Sequence, residues 1–286
     1  MSNEQKKISR REFMASTSKT AAGIAAATAL TSCAAPTARG LVIDGHMHFE
    51  AYGTYWEGLI DEIIEHYDYA GVDKGVVFTT WTPSRESNDR TLEGYQKYPD
   101  RFIPFGHVRT EDPDWESELK RISELQWKGI KLHQTEISRG PDLKEKTRTV
   151  VEKAAEFGIR IVLIHLEDNE IMDELTREIA EVTWIIPHMG YDRKRGEMKK
   201  YCELARNRKN VYLDTSIGQY YKYGQAIEWA GADKIIFASD GFWGNPFIEK
   251  AKIEILQLPT PFRTPRLTDE QLDMILGGNL ARILEL

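Results

Sequence analysis

The sequence predicts a (β/α)8 barrel, because short apolar strands alternate with amphipathic helices about eight times between residues 41 and 286. The length of that stretch agrees, since such barrels take about 250 residues. One predicted strand, residues 160–166, is an almost unbroken apolar run. Runs of this kind are typical of parallel strands that are buried on both faces.

Each predicted strand is a run of apolar, mostly β-branched residues bounded by turn-forming or polar residues. The strands are predicted at residues 41–49, 75–80, 102–108, 129–133, 160–166, 182–188, 211–216 and 234–239.

Helical periodicity fills the intervals between these strands and the stretch after the last one. The helices are predicted at residues 59–69, 91–98, 113–126, 143–157, 169–181, 195–208, 219–229 and 268–284. An open, doubly wound sheet is the alternative architecture. It would usually carry a glycine-rich phosphate loop after its first strand. This chain has Asp44-Gly-His-Met-His48 there instead, so the barrel is preferred.

Histidines stand at the C-terminal ends of several predicted strands. Two of them are one residue apart on the first strand and therefore share a face. Because barrel active sites lie at the C-terminal strand ends, these side chains are expected to converge. A buried structural histidine could explain one of them but not the whole set, which predicts a catalytic metal centre. The residues concerned are His46, His48, His133, His165, His188 and Asp240.

This pattern resembles the amidohydrolase superfamily, in particular the amidohydrolase-related branch that includes aminocarboxymuconate-semialdehyde decarboxylase. The resemblance covers residues 41–286. Besides the histidines and Asp240, it is carried by three motifs, which are Asp44-Gly-His-Met-His48, Lys128-Gly-Ile-Lys-Leu-His133 and Gly277-Gly-Asn-Leu-Ala-Arg-Ile-Leu284.

The resemblance implies that His46, His48, His165 and Asp240 hold one divalent metal ion, for which zinc is expected. A mixed nitrogen and oxygen shell with an open position suits a catalytic zinc that activates water. Asp240 could then accept the proton of that water. His188 would lie beside the metal and contact the substrate or a second metal. It could stabilise a developing oxyanion or protonate the leaving group.

Lys131 shares strand parity with His133, so both side chains are expected inside the barrel. Binuclear members of the superfamily bridge two metals with a carboxylated lysine or a glutamate on strand four. The alternative is an ion pair inside the barrel, for example with Asp44. Because the resembling branch is usually mononuclear, Lys131 is expected to be unmodified. His133 lies nearer the mouth and is the better substrate contact.

The expected activity is hydrolysis of an amide, ester or lactone bond in a small molecule by metal-activated water. A metal-dependent, non-oxidative decarboxylase of a small carboxylic acid would use the same ligands. A surface lipoprotein that binds metal or solute without turnover is the third possibility, although a binding protein needs no base. Five aromatic residues could line an apolar cleft or only cover helix ends: Tyr52, Trp56, Trp81, Phe242 and Trp243.

Residues 1–32 have the order of an export signal. Arg10 and Arg11 precede Phe13, and this pair resembles a twin-arginine (Tat) signal. The apolar run 20–30 is too short to span a bilayer. The segment ending at Cys33 resembles a lipobox, so acylation of Cys33 and attachment to a membrane surface in the cell envelope are expected. Residues 33–40 would be a tether. There are two alternatives. Ordinary cleavage could free a soluble enzyme, or the segment could be a disordered or helical N-terminal arm.

The charge balance argues against nucleic acid as a partner. The chain has a net charge of −7, and loss of residues 1–32 would leave 33 basic and 43 acidic residues, a net charge of −10. The second cysteine, Cys202, falls in a helical pattern and is expected to be packed rather than reactive. With Cys33 acylated, no disulfide is expected.

Overall fold

A computed structural model of the chain describes residues 40–50, 54–190, 197–259 and 266–286. The predicted export signal, Cys33, most of the predicted tether and Tyr52 lie outside the described residues.

Eight parallel strands form a nearly closed barrel, and each strand pairs with the next along the chain. The last strand returns to the first, since Gly45 N donates to Phe237 O at 2.9 Å and Asp240 N donates to His46 O at 2.8 Å. The prediction of a (β/α)8 barrel is therefore confirmed. The strands are β1 Ile43–His48, β2 Lys74–Phe78, β3 Phe102–His107, β4 Gly129–His133, β5 Ile161–His165, β6 Thr183–Ile186, β7 Val211–Asp214 and β8 Ile235–Ile236.

Helices connect the strands and cover the barrel. No helix in the described part of the chain is long and apolar enough to cross a membrane. The α-helices are α1 Leu59–Ala70, α2 Ser84–Lys97, α3 Trp115–Glu124, α4 Gln134–Ile137, α5 Leu143–Glu156, α6 Asn169–Glu178, α7 Glu197–Asn207, α8 Tyr220–Ala230, α9 Pro246–Glu254, α10 Asp269–Asp273 and α11 Asn279–Leu284.

Helix α2 begins at Ser84, two turns before the predicted start at residue 91. Its first turns bury polar rather than apolar side chains, which hid the helical period in the sequence. Ser84 Oγ donates to Asp112 Oδ2 at 2.5 Å. Asn88 bonds the backbone of His107 in both directions, accepting from its N at 2.8 Å and donating to its O at 3.0 Å. Polar groups that satisfy one another can thus form a buried helix face.

Strand β8 is shorter than predicted, and helix α9 was not predicted. Pairing with β7 ends at Ile236, because Phe237 N donates to Ile275 O at 2.9 Å, although Phe237 O still accepts from Gly45 N of β1. Helix α9 starts with Asn245 as N-cap, whose side chain accepts from Phe247 N and Ile248 N, and with proline in its first turn. These start signals were present in the sequence. The helix buries Glu249 and Lys250 together with Ile253, so it lacks a clear apolar face.

The interior of the barrel is apolar at the bottom and polar at the top. On β5, Ile161 and Leu163 belong to an inner apolar cluster, whereas Val162 and Ile164 pack outward against the helices. The alternation continues to His165, whose side chain therefore faces the interior at the mouth. Cys202 on α7 is fully buried, and burial raises the pKa of its thiol to about 12, as expected for a packed cysteine.

Candidate metal centre

Three side chains direct their ligand atoms to one place at the mouth of the barrel. His46 Nε2 and His48 Nε2 are 3.4 Å apart. Asp240 Oδ1 lies 3.2 Å from the first nitrogen and 3.4 Å from the second. All three residues are buried, and their ligand atoms form a group that could hold a metal ion. Two imidazole nitrogens and a carboxylate oxygen fit a divalent transition metal.

The local backbone brings these residues together from the two strands that close the barrel. His46 and His48 share a face of β1 as predicted, and Asp240 has a left-handed φ of 55° just after β8. Asp44 ties the two strands, accepting from Ser239 N at 2.9 Å and from Ser239 Oγ at 2.5 Å. Its burial raises the pKa of Asp44 to about 7. These bonds hold Asp240 opposite the two histidines.

Two buried carboxylates that were not predicted orient the histidines. His46 Nδ1 is 2.9 Å from Asp214 Oδ2, and His48 Nδ1 is 2.9 Å from Glu50 Oε1. With Nδ1 bonded to a carboxylate, each ring turns Nε2 towards the cluster. Signals for both were present in the sequence. Glu50 continues the alternation of His46 and His48, and Asp214 ends an apolar strand at the mouth.

Asp240 is surrounded by histidines on the cavity side. Although burial acts to raise it, His46 and His48 hold the pKa of the Asp240 carboxyl below its ordinary value. The second oxygen, Oδ2, lies 3.9 Å from His188 Nε2. The carboxylate is therefore ionised, with one oxygen towards the pair of β1 histidines and the other towards His188.

His188 lies beside the cluster as predicted, although the group of three ligand atoms does not include it. Its φ of 57° is left-handed. Its Nδ1 is 2.9 Å from Ser216 Oγ, and its backbone N donates to Asp214 Oδ1 at 2.9 Å. These contacts to the end of β7 place the ring at the edge of the cavity, where it can meet a bound substrate.

His165, the predicted fourth ligand, lies on the opposite wall of the same cavity. Its ring centroid is 4.3 Å from that of His133 and 5.4 Å from that of His188. Its Nε2 is 3.1 Å from Glu167 Oε1, a contact that the sequence did not predict. Burial, together with His133, lowers the pKa of His165, so the ring is neutral. A neutral ring can donate a lone pair, and ligation by His165 stays a prediction.

Lys131 and His133 both face the interior, as their shared parity predicted. Lys131 does not pair with Asp44, because Ser239 and Tyr67 occupy that carboxylate. Its Nζ lies 3.2 Å from His46 Nε2 and 5.2 Å from the ring centroid of Phe78. Burial lowers the pKa of Lys131 to about 8.

His107, the last residue of β3, has buried partners beneath the cavity. Its Nδ1 is 3.1 Å from Lys131 O, and its Nε2 is 3.4 Å from Glu136 Oε1. Glu136 also accepts from Trp81 N at 3.2 Å. His107 therefore supports the floor and wall of the cavity instead of lining it.

The cavity has a volume of about 290 Å³. Of the five aromatic residues considered above, Trp81 and Trp243 line it, while Trp56 and Phe242 pack on each other at 5.1 Å. A second cavity of about 360 Å³ lies behind Trp243 and contains none of the clustered histidines. The first cavity is lined by His46, His48, Thr80, Trp81, Lys131, His133, His165, His188, Ile217, Asp240 and Trp243.

A sequence profile described as amidohydrolase matches residues 43–286. No curated protein matches the chain. Many solved structures share its fold.

Three of these structures show the range of their functions, and the alignment with each covers 86% of this chain. A probable 2-pyrone-4,6-dicarboxylic acid hydrolase from Acinetobacter baumannii is 18% identical, with 99% of that chain covered and a TM-score of 0.64. A dihydroxybenzoic acid decarboxylase from Polaromonas with bound manganese is 16% identical, with 97% covered and a TM-score of 0.61. A 4-oxalomesaconate hydratase from Rhodopseudomonas palustris is 18% identical, with 96% covered and a TM-score of 0.62.

Proposed function

The chain belongs to the amidohydrolase family of enzymes, and from that premise we propose that it is a metal-dependent hydrolase of a small molecule. The bond it cleaves is a C–N or C–O bond of an amide, ester or lactone. The observation that carries this proposal is the convergence of two imidazole nitrogens and one carboxylate oxygen within 3.4 Å of one another.

The donor set fits one divalent metal, and we propose zinc. His46, His48 and Asp240 would hold it, with His165 as the fourth ligand from the opposite wall. Bound there, the metal would supply an activated water and polarise a substrate carbonyl. The decarboxylase of similar fold binds manganese, so the identity of the metal in this protein has to be measured. Metal analysis of the purified protein provides that measurement.

Side chains of the protein would transfer protons and contact the substrate. Asp240 is ionised and can accept the proton of the attacking water. Its Oδ2 lies 3.9 Å from His188 Nε2, so Asp240 can transfer that proton to His188 over a short distance. His188 can then deliver that proton to the leaving group. Lys131 and His133 on the opposite side are placed to contact the substrate.

A decarboxylase is the second candidate, and the lining of the cavity is the observation that favours it. Among the residues that the structure describes, the lining contains Lys131 and five histidines but a single carboxylate, Asp240. Once a divalent cation is bound, this surface is cationic and suits a substrate carboxylate. A decarboxylase with bound manganese also has a similar fold, which supports this second candidate.

One experiment separates the two reactions. The metal-loaded protein is incubated with esters, lactones, amides and aromatic carboxylates in isotopically labelled water. A hydrolase incorporates one labelled oxygen into its product and releases no carbon dioxide, whereas a decarboxylase releases carbon dioxide stoichiometrically. Carbon dioxide release from a carboxylate, with no hydrolysis across the panel, would replace the first proposal by the second.

We also propose that the enzyme is exported by the Tat pathway and anchored to the envelope through a lipid on Cys33. The support lies in the sequence of residues 1–33. Replacing Arg10 and Arg11 by lysine should retain the precursor in the cytoplasm, and Cys33→Ala should abolish acylation. Labelled fatty acid that is never incorporated into the wild type would contradict the anchor.

A further inference from the structure

The carboxylate of Asp214 bonds to two separate parts of the site. Asp214 is fully buried at the end of β7. Its Oδ2 lies 2.9 Å from His46 Nδ1. Its Oδ1 accepts three hydrogen bonds, from His188 N at 2.9 Å, Ser216 N at 3.0 Å and Ser216 Oγ at 2.5 Å. The same carboxylate thus contacts a proposed metal ligand with one oxygen and the backbone of His188 with the other.

We propose that Asp214 is a positioning residue that sets the tautomer of His46 and holds His188 beside Asp240. The inference rests on the proposed metal centre. An imidazole can bind a metal through Nε2 only when that atom carries a lone pair, so the proton must be on Nδ1. An ionised carboxylate only accepts hydrogen bonds. Asp214 Oδ2 lies 2.9 Å from Nδ1, nearer than Asp240 Oδ1, which lies 3.2 Å from Nε2, and the donor Lys131 Nζ also lies 3.2 Å from Nε2. Asp214 therefore keeps the His46 proton on Nδ1 and leaves Nε2 available.

Because three donors point at Oδ1, replacing one carboxylate oxygen of Asp214 by an NH₂ group should change the tautomer of His46. If Asp214 is replaced by asparagine, the amide oxygen must take the position of Oδ1, because two backbone N–H groups point at it. The amide NH₂ then takes the position of Oδ2 and faces His46 Nδ1. Since NH₂ only donates, His46 must accept with Nδ1 and carry its proton on Nε2. That proton would point into the metal position.

Glu50 provides a matched control, because its contacts are distributed differently. Its Oε1 takes every bond: from Thr80 N at 3.1 Å, from Thr80 Oγ at 2.7 Å and from His48 Nδ1 at 2.9 Å. Its Oε2 is buried and has no partner among the residues that the structure describes. A glutamine can keep its oxygen at Oε1 and place NH₂ at Oε2. Glu50→Gln therefore removes the same charge but leaves the acceptor of His48 in place.

The test measures metal affinity and the histidine tautomer in metal-free wild type, Asp214→Asn and Glu50→Gln. Circular dichroism and thermal unfolding establish that each variant is folded. Zinc affinity is measured by competition with a chelating dye, without reference to activity. Asp214→Asn should bind zinc about 10- to 100-fold more weakly, the usual effect of losing a partner of a ligand. Glu50→Gln should lose clearly less.

The tautomer is read independently by NMR of histidine labelled with a heavy nitrogen isotope, with the His46 signal identified from a His46→Gln variant. The wild type should carry the proton on Nδ1 and Asp214→Asn on Nε2. A wild-type His46 protonated on Nε2 overturns the inference, even if the variant does not fold. Equal losses of zinc affinity in the two variants also overturn it, because charge alone would then explain the effect.

The outcomes for the inference and for the proposed function are distinguishable. If the wild type binds no divalent metal, the proposed function fails, while the tautomer of His46 still decides the role of Asp214. If the wild type binds zinc and Asp214→Asn binds it equally well, the metal centre stands and the inference fails. The second part of the proposal is that Asp214 holds His188 beside Asp240. It is supported if kcat of zinc-saturated Asp214→Asn falls by a larger factor than KM changes.

Discussion

The two sides of the barrel mouth hold their histidines in different ways. On the side of β1 and β8, the Nδ1 atoms of His46 and His48 bond to buried carboxylates, and both Nε2 atoms point to Asp240. On the side of β4 and β5, His133 Nδ1 lies 2.8 Å from a threonine hydroxyl and His165 Nε2 lies 3.1 Å from Glu167. The first side presents a ready set of ligand atoms, whereas the second has its ring nitrogens in other contacts.

Solvent exposure differs in the same direction. His46 and Asp214 are 1% and 0% exposed, whereas His165 and Glu167 are 17% and 22% exposed. Buried charged hydrogen bonds are strong and fix geometry, while exposed pairs contribute little and exchange easily. The difference suggests a division of labour. We infer that the dry side, with β1 and β8, holds the metal, and that the wetter side, with β4 and β5, rearranges around a substrate.

The strongest test of this division is the removal of a ligand from the dry side. His46→Ala should lose metal and activity together, with a decrease in affinity beyond the about 10- to 100-fold typical of residues that only orient a ligand. Metal content after gel filtration and kcat are the measurements. His66→Ala is the control, since that histidine lies on α1 outside the cluster. Unchanged affinity in His46→Ala would show that the metal site is elsewhere.

Asp240 should separate metal binding from chemistry. Asparagine keeps the shape and one oxygen ligand but cannot act as a base near neutral pH. Asp240→Asn should therefore retain much of its metal and lose activity by about 10²- to 10⁴-fold, the usual contribution of general base catalysis. His188→Ala should likewise keep metal and lose turnover. An Asp240→Asn variant that is metal-bound and fully active on an identified substrate would end the assignment of Asp240 as base.

His165 tests whether the two sides cooperate in metal binding. As a fourth ligand that must leave Glu167, it should contribute less than His46, so His165→Ala should weaken metal binding by about tenfold, or about 1.4 kcal/mol. His133→Ala is the matched control on the neighbouring strand and should leave metal affinity unchanged while raising KM. If both variants bind metal like the wild type, His165 belongs to the substrate wall and the metal has three protein ligands.

Much of this site could be predicted from the sequence because it follows strand periodicity. The positions of His46, His48 and Asp240 depend only on which strand each residue ends and which face it shares. Asp214 and Glu50 occupy equivalent positions, but carboxylates are common, and nothing in one sequence distinguishes an orienting carboxylate from a solvated one. The partner of Lys131 depended on side-chain packing. Asp44 is occupied by Ser239, a residue 195 positions away.

The smallest expected change concerns the number of metal ions and Lys131. Burial lowers the pKa of Lys131 to about 8, and its Nζ lies 3.2 Å from His46 Nε2. If Lys131 is unmodified, the protein should hold about one metal per chain. Lys131→Met should leave that number unchanged, because none of the three proposed ligand atoms belongs to Lys131. Elemental analysis of both proteins, with intact mass spectrometry for a carbamate, is the measurement. Two metals in the wild type and one in Lys131→Met would make the site binuclear, and both sides of the mouth would then hold metal.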